Sequence, residues 1–237
     1  IEFLTEGTQI VSAGADGLVK VWDVDSGELL QTWAGHDDAV ERLSISKDGR
    51  FVASASDDGK VNIWRVRDGR LISTLAGNPN GVGGIDISPH GDQIVAGYDD
   101  GEVILYQLDL AAGSADLVEP EIAWRVAHGN DNALGVNFSP DGQLIVAPGL
   151  DRVALWDVNS GELVIDLNHP QGSSNAIFNA DGSQVITGGT DGFARIFAVG
   201  LENLLELAQS RVTRSLTDDE CRRYLHLEAC PEGNDDA

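Results

Sequence analysis

The sequence predicts an all-β fold, a propeller of about five four-stranded antiparallel blades with a short helical extension after them. Three observations predict it. An aromatic residue recurs at Trp22, Trp64, Tyr106, Trp156 and Phe197, at intervals of 42, 42, 50 and 41 residues. A period of about 40–45 residues with strand-like content is the signature of propeller blades. Asp-Gly pairs precede four of these aromatics, at Asp16-Gly17, Asp58-Gly59, Asp100-Gly101 and Asp191-Gly192, and such pairs close tight hairpins. Finally, the strands between the turns are apolar on both faces, so each sheet requires a neighbour on either side.

Each repeat unit reads in the same order. An alternating segment comes first, as in VERLSI (40–45), VGGIDI (82–87), LGVNFS (134–139) and SNAIF (174–178). A turn follows, SKDG, SPHG, SPDG or NADG. Its Gly suits a left-handed position, and Pro89 and Pro140 suit its opening. A second strand, such as RFVASAS or SQVITGG, leads to the Asp-Gly turn, and a third strand carries the aromatic. A last turn (DSG, RDG or NSG) leads to a fourth strand, ELLQTWAG, RLISTLAG or ELVIDLNH. The blade boundaries then fall at 1–34, 35–77, 78–127, 128–168 and 169–198. The 50-residue interval holds an insertion at 108–121.

After the fifth unit the period changes. Leu201, Leu204, Leu205 and Ala208 follow helical spacing, and Thr217 with Glu220 forms a capping box that Leu216 and Cys221 could staple. Cys221, Tyr224 and Leu225 would share the inner face of that second helix. The expectation is a helical extension over 199–228 and a disordered acidic tail over 229–237. Residues 1–16 align without gaps on 43–58. The first copy therefore reads as cut within its first strand, and the chain as a piece of something larger.

Composition bounds the function. The formal net charge is −24, with 15 Lys and Arg against 39 Asp and Glu. Such a surface repels nucleic acid and anionic lipid, whose binding requires neutralised phosphates. No stretch approaches the about 18 apolar residues of a membrane span, and the N-terminus lacks the pattern of a secretory signal. Cys221 and Cys230 build no disulfide framework; two free thiols in a cytoplasmic protein, or one local bridge, are both open.

No residue set points to catalysis, a cofactor or a metal. HExxH, CxxC and GxSxG are absent, and no glycine loop joins a strand to a helix as a phosphate cradle would require. Of five histidines, His36, His128 and His169 sit at or beside one repeat position, while His90 replaces an Asp in a turn and His226 lies in the extension. The stretch from Asp23 opens like a calcium loop, but its closing position is Ala34 where a Glu is needed. The paired acids Asp57-Asp58 and Asp99-Asp100 recur in register, which repetition alone predicts.

The units resemble WD40 repeats. The match is carried by residues 35–66, GHDDAVERLSISKDGRFVASASDDGKVNIWRV, and by WDV at 22–24 and 156–158. In that family a His, a Ser or Thr, the turn Asp and the strand Trp form a buried hydrogen-bond chain. The resemblance implies His36, Ser56, Asp58 and Trp64 for that tetrad. The third unit has Asn78, Tyr98, Asp100 and Tyr106 instead, and the fifth has His169, Gly189, Asp191 and Phe197. In the fourth, Asp151 and His128 are out of phase. Weaker polar stapling is expected there, since Phe and Tyr lack the indole donor.

Two readings of the ring stay open: the chain is an arc of a larger propeller of about seven blades, or five blades close by themselves, within the known range of about four to eight. It implies a non-catalytic scaffold or sensor that presents Ala15, Asp57, Asp99 and Thr190 to a protein or peptide partner. The tail is similar to that of WD40 arrays in bacterial multidomain signalling proteins, where the effector is a STAND-type NTPase, a kinase or a DNA-binding regulator. The partner would then include the effector domain of the parent chain, with no cofactor, nucleic acid or membrane involved. The alternative is an enzyme propeller, a hydrolase or lyase, with a site in the central channel. A cluster of three or more ionisable groups around the axis would favour that alternative.

Overall fold

The computed structural model describes residues 1–4, 7–108, 120–129, 135–150, 152–169 and 172–199. The chain divides into two units, Ile1–Phe197 and Ala198–Ala237. Of the second, only Ala198 and Val199 are described. The expected extension, capping box, cysteines and acidic tail, the insertion core and Asp151 lie outside the described residues.

All regular structure among the described residues is β. The first sheet orders β1 (Glu2–Phe3), β2 (Gln9–Ala13), β3 (Leu18–Asp23) and β4 (Leu29–Ala34) side by side. The second holds β5 (Val40–Ile45), β6 (Phe51–Ser56), β7 (Val61–Arg65) and β8 (Arg70–Leu75). The third holds β9 (Val82–Ile87), β10 (Gln93–Tyr98), β11 (Glu102–Gln107) and β12 (Glu121–Ala127). The fourth holds β13 (Asn137–Phe138), β14 (Leu144–Pro148), β15 (Arg152–Asp157) and β16 (Leu163–Asn168). The fifth has three described strands, β17 (Ser173–Phe178), β18 (Gln184–Gly189) and β19 (Ala194–Ala198). Every pairing is antiparallel, and the register shifts just before the aromatic in the first four sheets, at Val21/Trp22, Ile63/Trp64, Leu105/Tyr106 and Leu155/Trp156.

Side-chain alternation explains the stacking. Successive residues of a strand point to opposite faces. In the second sheet Val52 and Trp64 join a core with Val11, Val19, Val21 and Trp33 of the first sheet. Their strand neighbours Phe51, Ala53, Ala55 and Ile63 join a core with the third sheet. In the third sheet, Ile94, Ala96 and Tyr98 face the second while Val95, Val103 and Leu105 face the fourth. One strand thus contributes to two cores. All six residues of β6 and all five of β7 are buried.

The first and last sheets differ. Ile196 occupies the position that Ile63, Leu105 and Leu155 hold in the inner sheets, yet it is 64% exposed where they are at 0%. Phe3 and Phe193 are likewise exposed. The outer faces of the first and fifth sheets therefore remain uncovered by one another.

Candidate interaction surface

The Asp-Gly turns and the loops leading into each first strand lie at one end of the sheets. Backbone bonds tie them together. Asp57 N–H donates to Ala39 C=O (3.0 Å), Asp99 N–H to Gly81 C=O (2.9 Å) and Thr190 N–H to Gly172 C=O (3.3 Å). Val40 N–H reaches Gly14 C=O of the preceding sheet (3.1 Å), and Ser173 N–H reaches Gly149 C=O (2.9 Å). Glycine is required in these turns for two reasons. Gly59 has φ +77°, and a side chain there would begin 3.0 Å from Pro79 and Asn80 backbone atoms of the next loop.

Ala15, Asp57, Asp99 and Thr190 are all exposed at this end, one in each of the first, second, third and fifth sheets. Asp57 and Asp99 come together around Gly81. A side chain on Gly81 would begin 2.6 Å from Asp99 Oδ2 and 3.5 Å from Asp57 Cα. Burial, then the negative charges of Asp57 and Asp100, push the Asp99 carboxyl above its ordinary range. The cations of this end sit on other acids: Lys20 on Asp16 (2.5 Å), Lys60 on Asp37 (2.7 Å), Arg125 on Glu102 (3.4 Å). Among the described residues Asp57, Asp99 and Asp100 have no ion-pair partner.

Beneath this surface the second sheet holds a buried polar chain. Trp64 Nε1–H donates to Ser54 Oγ (2.8 Å), Ser54 Oγ meets His36 Nε2 (2.7 Å), and His36 Nδ1 meets Asp58 Oδ2 (3.1 Å). Burial opposes ionisation of Asp58, but N–H bonds from Asp37, Lys60 and His36 outweigh it and hold the carboxyl below its usual range. With Asp58 a carboxylate, Nδ1 carries the proton and Nε2 accepts from the Ser54 hydroxyl. Protons then run in one direction from indole to carboxylate.

This corrects the expected tetrad, because Ser54 and not Ser56 supplies the hydroxyl. Trp64 stands opposite Val52, so its indole reaches the diagonal neighbour Ser54, and Ser56 lies two residues further on. Ser56 Oγ instead accepts from Asp58 N–H (3.1 Å) and donates to Asp38 C=O (3.2 Å), bracing the turn. The first sheet repeats the observed pattern with Trp22 Nε1–H on Ser12 Oγ (2.8 Å).

The divergent sheets were expected to lose stapling, but two replace it. In the third, Tyr98 and Tyr106 hydroxyls bond each other at 2.8 Å, both rings fully buried. Asn78 Nδ2 donates to Asp100 and Glu102, and Asn80 Nδ2 donates to Asn78 Oδ1 and Asp100. In the fifth, Arg195 grips Asp191 with two N–H groups and holds its carboxyl down to about 2. The fourth does lose the bond: Ala147 stands where Ser54 does, and the buried Trp156 Nε1–H has no partner. In the fifth, Thr187 Oγ1 and His169 Nδ1 are also buried without partners.

Residues of the first strands and of the turn after β5 line a cavity of about 480 Å³ that includes Glu2, Ser44, Lys47, Asp86 and Asn137. Burial pushes Asp86 up to about 6, against bonds from Phe138 N–H, the Ser44 hydroxyl and Ile87 N–H. Those bonds join the second, third and fourth sheets at 3.0 Å (Ser44) and 2.9 Å (Phe138). Three ionisable groups thus line the cavity. Asp86 spends its lone pairs on protein donors, the Ser44 hydroxyl, Phe138 N–H and Ile87 N–H. Among the described residues no group of His, Cys, Asp or Glu could hold a metal ion. No helix among them is long and apolar enough to cross a membrane.

The family model for the WD domain, G-beta repeat, matches residues 1–23, 27–65 and 69–107. Three segments of the chain thus match the WD40 repeat. It is 44% identical over 61 residues to an uncharacterized WD repeat-containing protein of Synechocystis sp., covering 24% of this chain and 18% of that protein. It is 39% identical over 44 residues to autophagy-related protein 16 of Arabidopsis thaliana, 19% of this chain and 9% of that one. With cilia- and flagella-associated protein 52 of Bos taurus it shares 35% identity over 51 residues, 22% and 8% of the two chains. The chain therefore matches less than a fifth of the length of these relatives.

Proposed function

We propose that the chain is a non-catalytic protein-interaction module that docks a cationic segment of a partner at the end bearing Ala15, Asp57, Asp99 and Thr190. The observation that carries this reading is the Asp57–Asp99–Asp100 group: three acids on the turns of two adjacent sheets, with no ion-pair partner among the described residues. Rigid sheets with exposed loops suit recognition, and a Lys or Arg of a partner would offset the burial and the repulsion from Asp57 and Asp100 that raise Asp99. The net charge of −24 favours the same sign of partner and disfavours nucleic acid and anionic membranes.

The module serves, on this reading, as the cytoplasmic sensor of a larger bacterial signalling protein and contacts its own effector domain. The cyanobacterial WD-repeat relative and the similarity of the tail support the context. The uncovered outer faces of the first and fifth sheets support further blades on either side. Capture of partners by the wild-type chain, compared with Asp57→Lys/Asp99→Lys, tests the surface. Loss of capture, with an unchanged melting temperature, is the expected result; undiminished capture by the folded double variant overturns it.

A further inference from the structure

The sequence contains one Asn-Gly pair, Asn80-Gly81, and the structure places it in the acidic end, in the loop before β9. Asn80 is exposed. A side chain on Gly81 would begin 2.6 Å from Asp99 Oδ2. Glycine leaves the amide next to Asn80 unhindered, and a carboxylate lies close to the same residue.

We infer that Asn80 is a self-modification site. The Gly81 backbone nitrogen loses its proton and attacks Asn80 Cγ, and a C–N bond forms. Ammonia leaves with the side-chain nitrogen, giving a succinimide. Water then opens the ring to an aspartyl or isoaspartyl residue. No oxidation state changes. Asp99 acts as the base in this step: its Oδ2 lies 2.6 Å from where a side chain on Gly81 would begin, and desolvation and its acidic neighbours raise its basicity.

The consequence follows from the hydrogen bonds. Asn80 Nδ2 donates to Asn78 Oδ1 (2.7 Å) and Asp100 Oδ2 (2.8 Å). After conversion an acceptor oxygen faces two acceptors, one of them charged. The isoaspartyl product also lengthens the backbone ahead of Gly81, whose carbonyl holds Asp99 N–H (2.9 Å). The loop then releases Asn78 and Asp99 while the surface gains a negative charge. Conversion would thus alter partner docking slowly and irreversibly; that last step alone rests on the docking proposal.

The test is peptide mapping by mass spectrometry of the full chain held at neutral pH, with enzymatic methylation to detect isoaspartate. Asn80 is expected to convert before every other Asn. Asp99→Asn should slow conversion by roughly tenfold or more, whereas the charge-matched Asp57→Asn should not, melting temperatures confirming that both variants fold. Conversion elsewhere first, or an Asp99→Asn chain that converts at the wild-type rate, overturns the inference. Independently, Asn80→Asp should melt at a lower temperature than Asn80→Ser at neutral pH, and the gap should close in acid. A gap that persists in acid, or none at neutral pH, contradicts the charge argument. None of these readouts involves a partner.

Discussion

Removing the Ser54 hydroxyl should damage the second sheet far more than removing that of Ser56. Ser54 Oγ accepts from Trp64 Nε1 and bonds His36 Nε2, and both partners are buried, Trp64 at 2% exposure and the His36 side chain at 0%. Ser54→Ala leaves two buried polar atoms unpaired. At about 1–3 kcal/mol for each, the loss is about 2–6 kcal/mol. For a domain of this size each kcal/mol moves Tm by about 2–4 °C, so thermal unfolding should shift by roughly 4–24 °C. Ser56 is buried too, but its bonds run to the exposed Asp38 and from the half-buried Asp58, so Ser56→Ala should cost less, about 1–2 kcal/mol. Circular dichroism melts of both variants, with the Ser54→Ala/Trp64→Phe double variant, measure the difference. The two substitutions should be strongly non-additive, because they share one bond. Equal losses for the two serines, or additive effects, would refute the proposed order of the chain.

Ala147→Ser should supply the acceptor that Trp156 Nε1 lacks and raise stability by about 1 kcal/mol, read as a higher Tm. Ile63→Ala should cost about 2–5 kcal/mol, while Ile196→Ala, at the equivalent position but exposed, should change stability by under about 1 kcal/mol in denaturant melts. The Asp86 carboxyl should titrate near 6 by NMR. Its folded value lies above the ordinary one, so its contribution is fully present below about pH 4 and is lost as pH rises through 6. A midpoint near 4 would remove the burial argument.

Much of this architecture was legible because its causes are local. Asp-Gly turns, strand alternation and the aromatic period each depend on residues within one hairpin, and the sheets form where those signals fall. The hydroxyl partner of Trp64 was not legible in the same way. ASAS at 53–56 offers two serines on one strand face, and only the cross-strand register, Val52 opposite Trp64, separates them. The replacements in the divergent sheets depended on reach across the fold. Tyr98 finds Tyr106 because register brings two hydroxyls together, and Arg195 turns to Asp191 where the tryptophan is missing. Asp86 carried a usable signal, a lone acid inside VGGIDI, but its partners Ser44 and Phe138 lie 42 and 52 residues away.

The stacking of sheets buried on both faces is most directly tested by native-state hydrogen exchange resolved to individual strands. The slowest amides should lie in β6, β7, β10 and β11, whose residues are covered from both sides, and those of β18 and β19 should exchange faster. Protection as high in the fifth sheet as in the second and third, or uniform exchange across all five, would contradict the account.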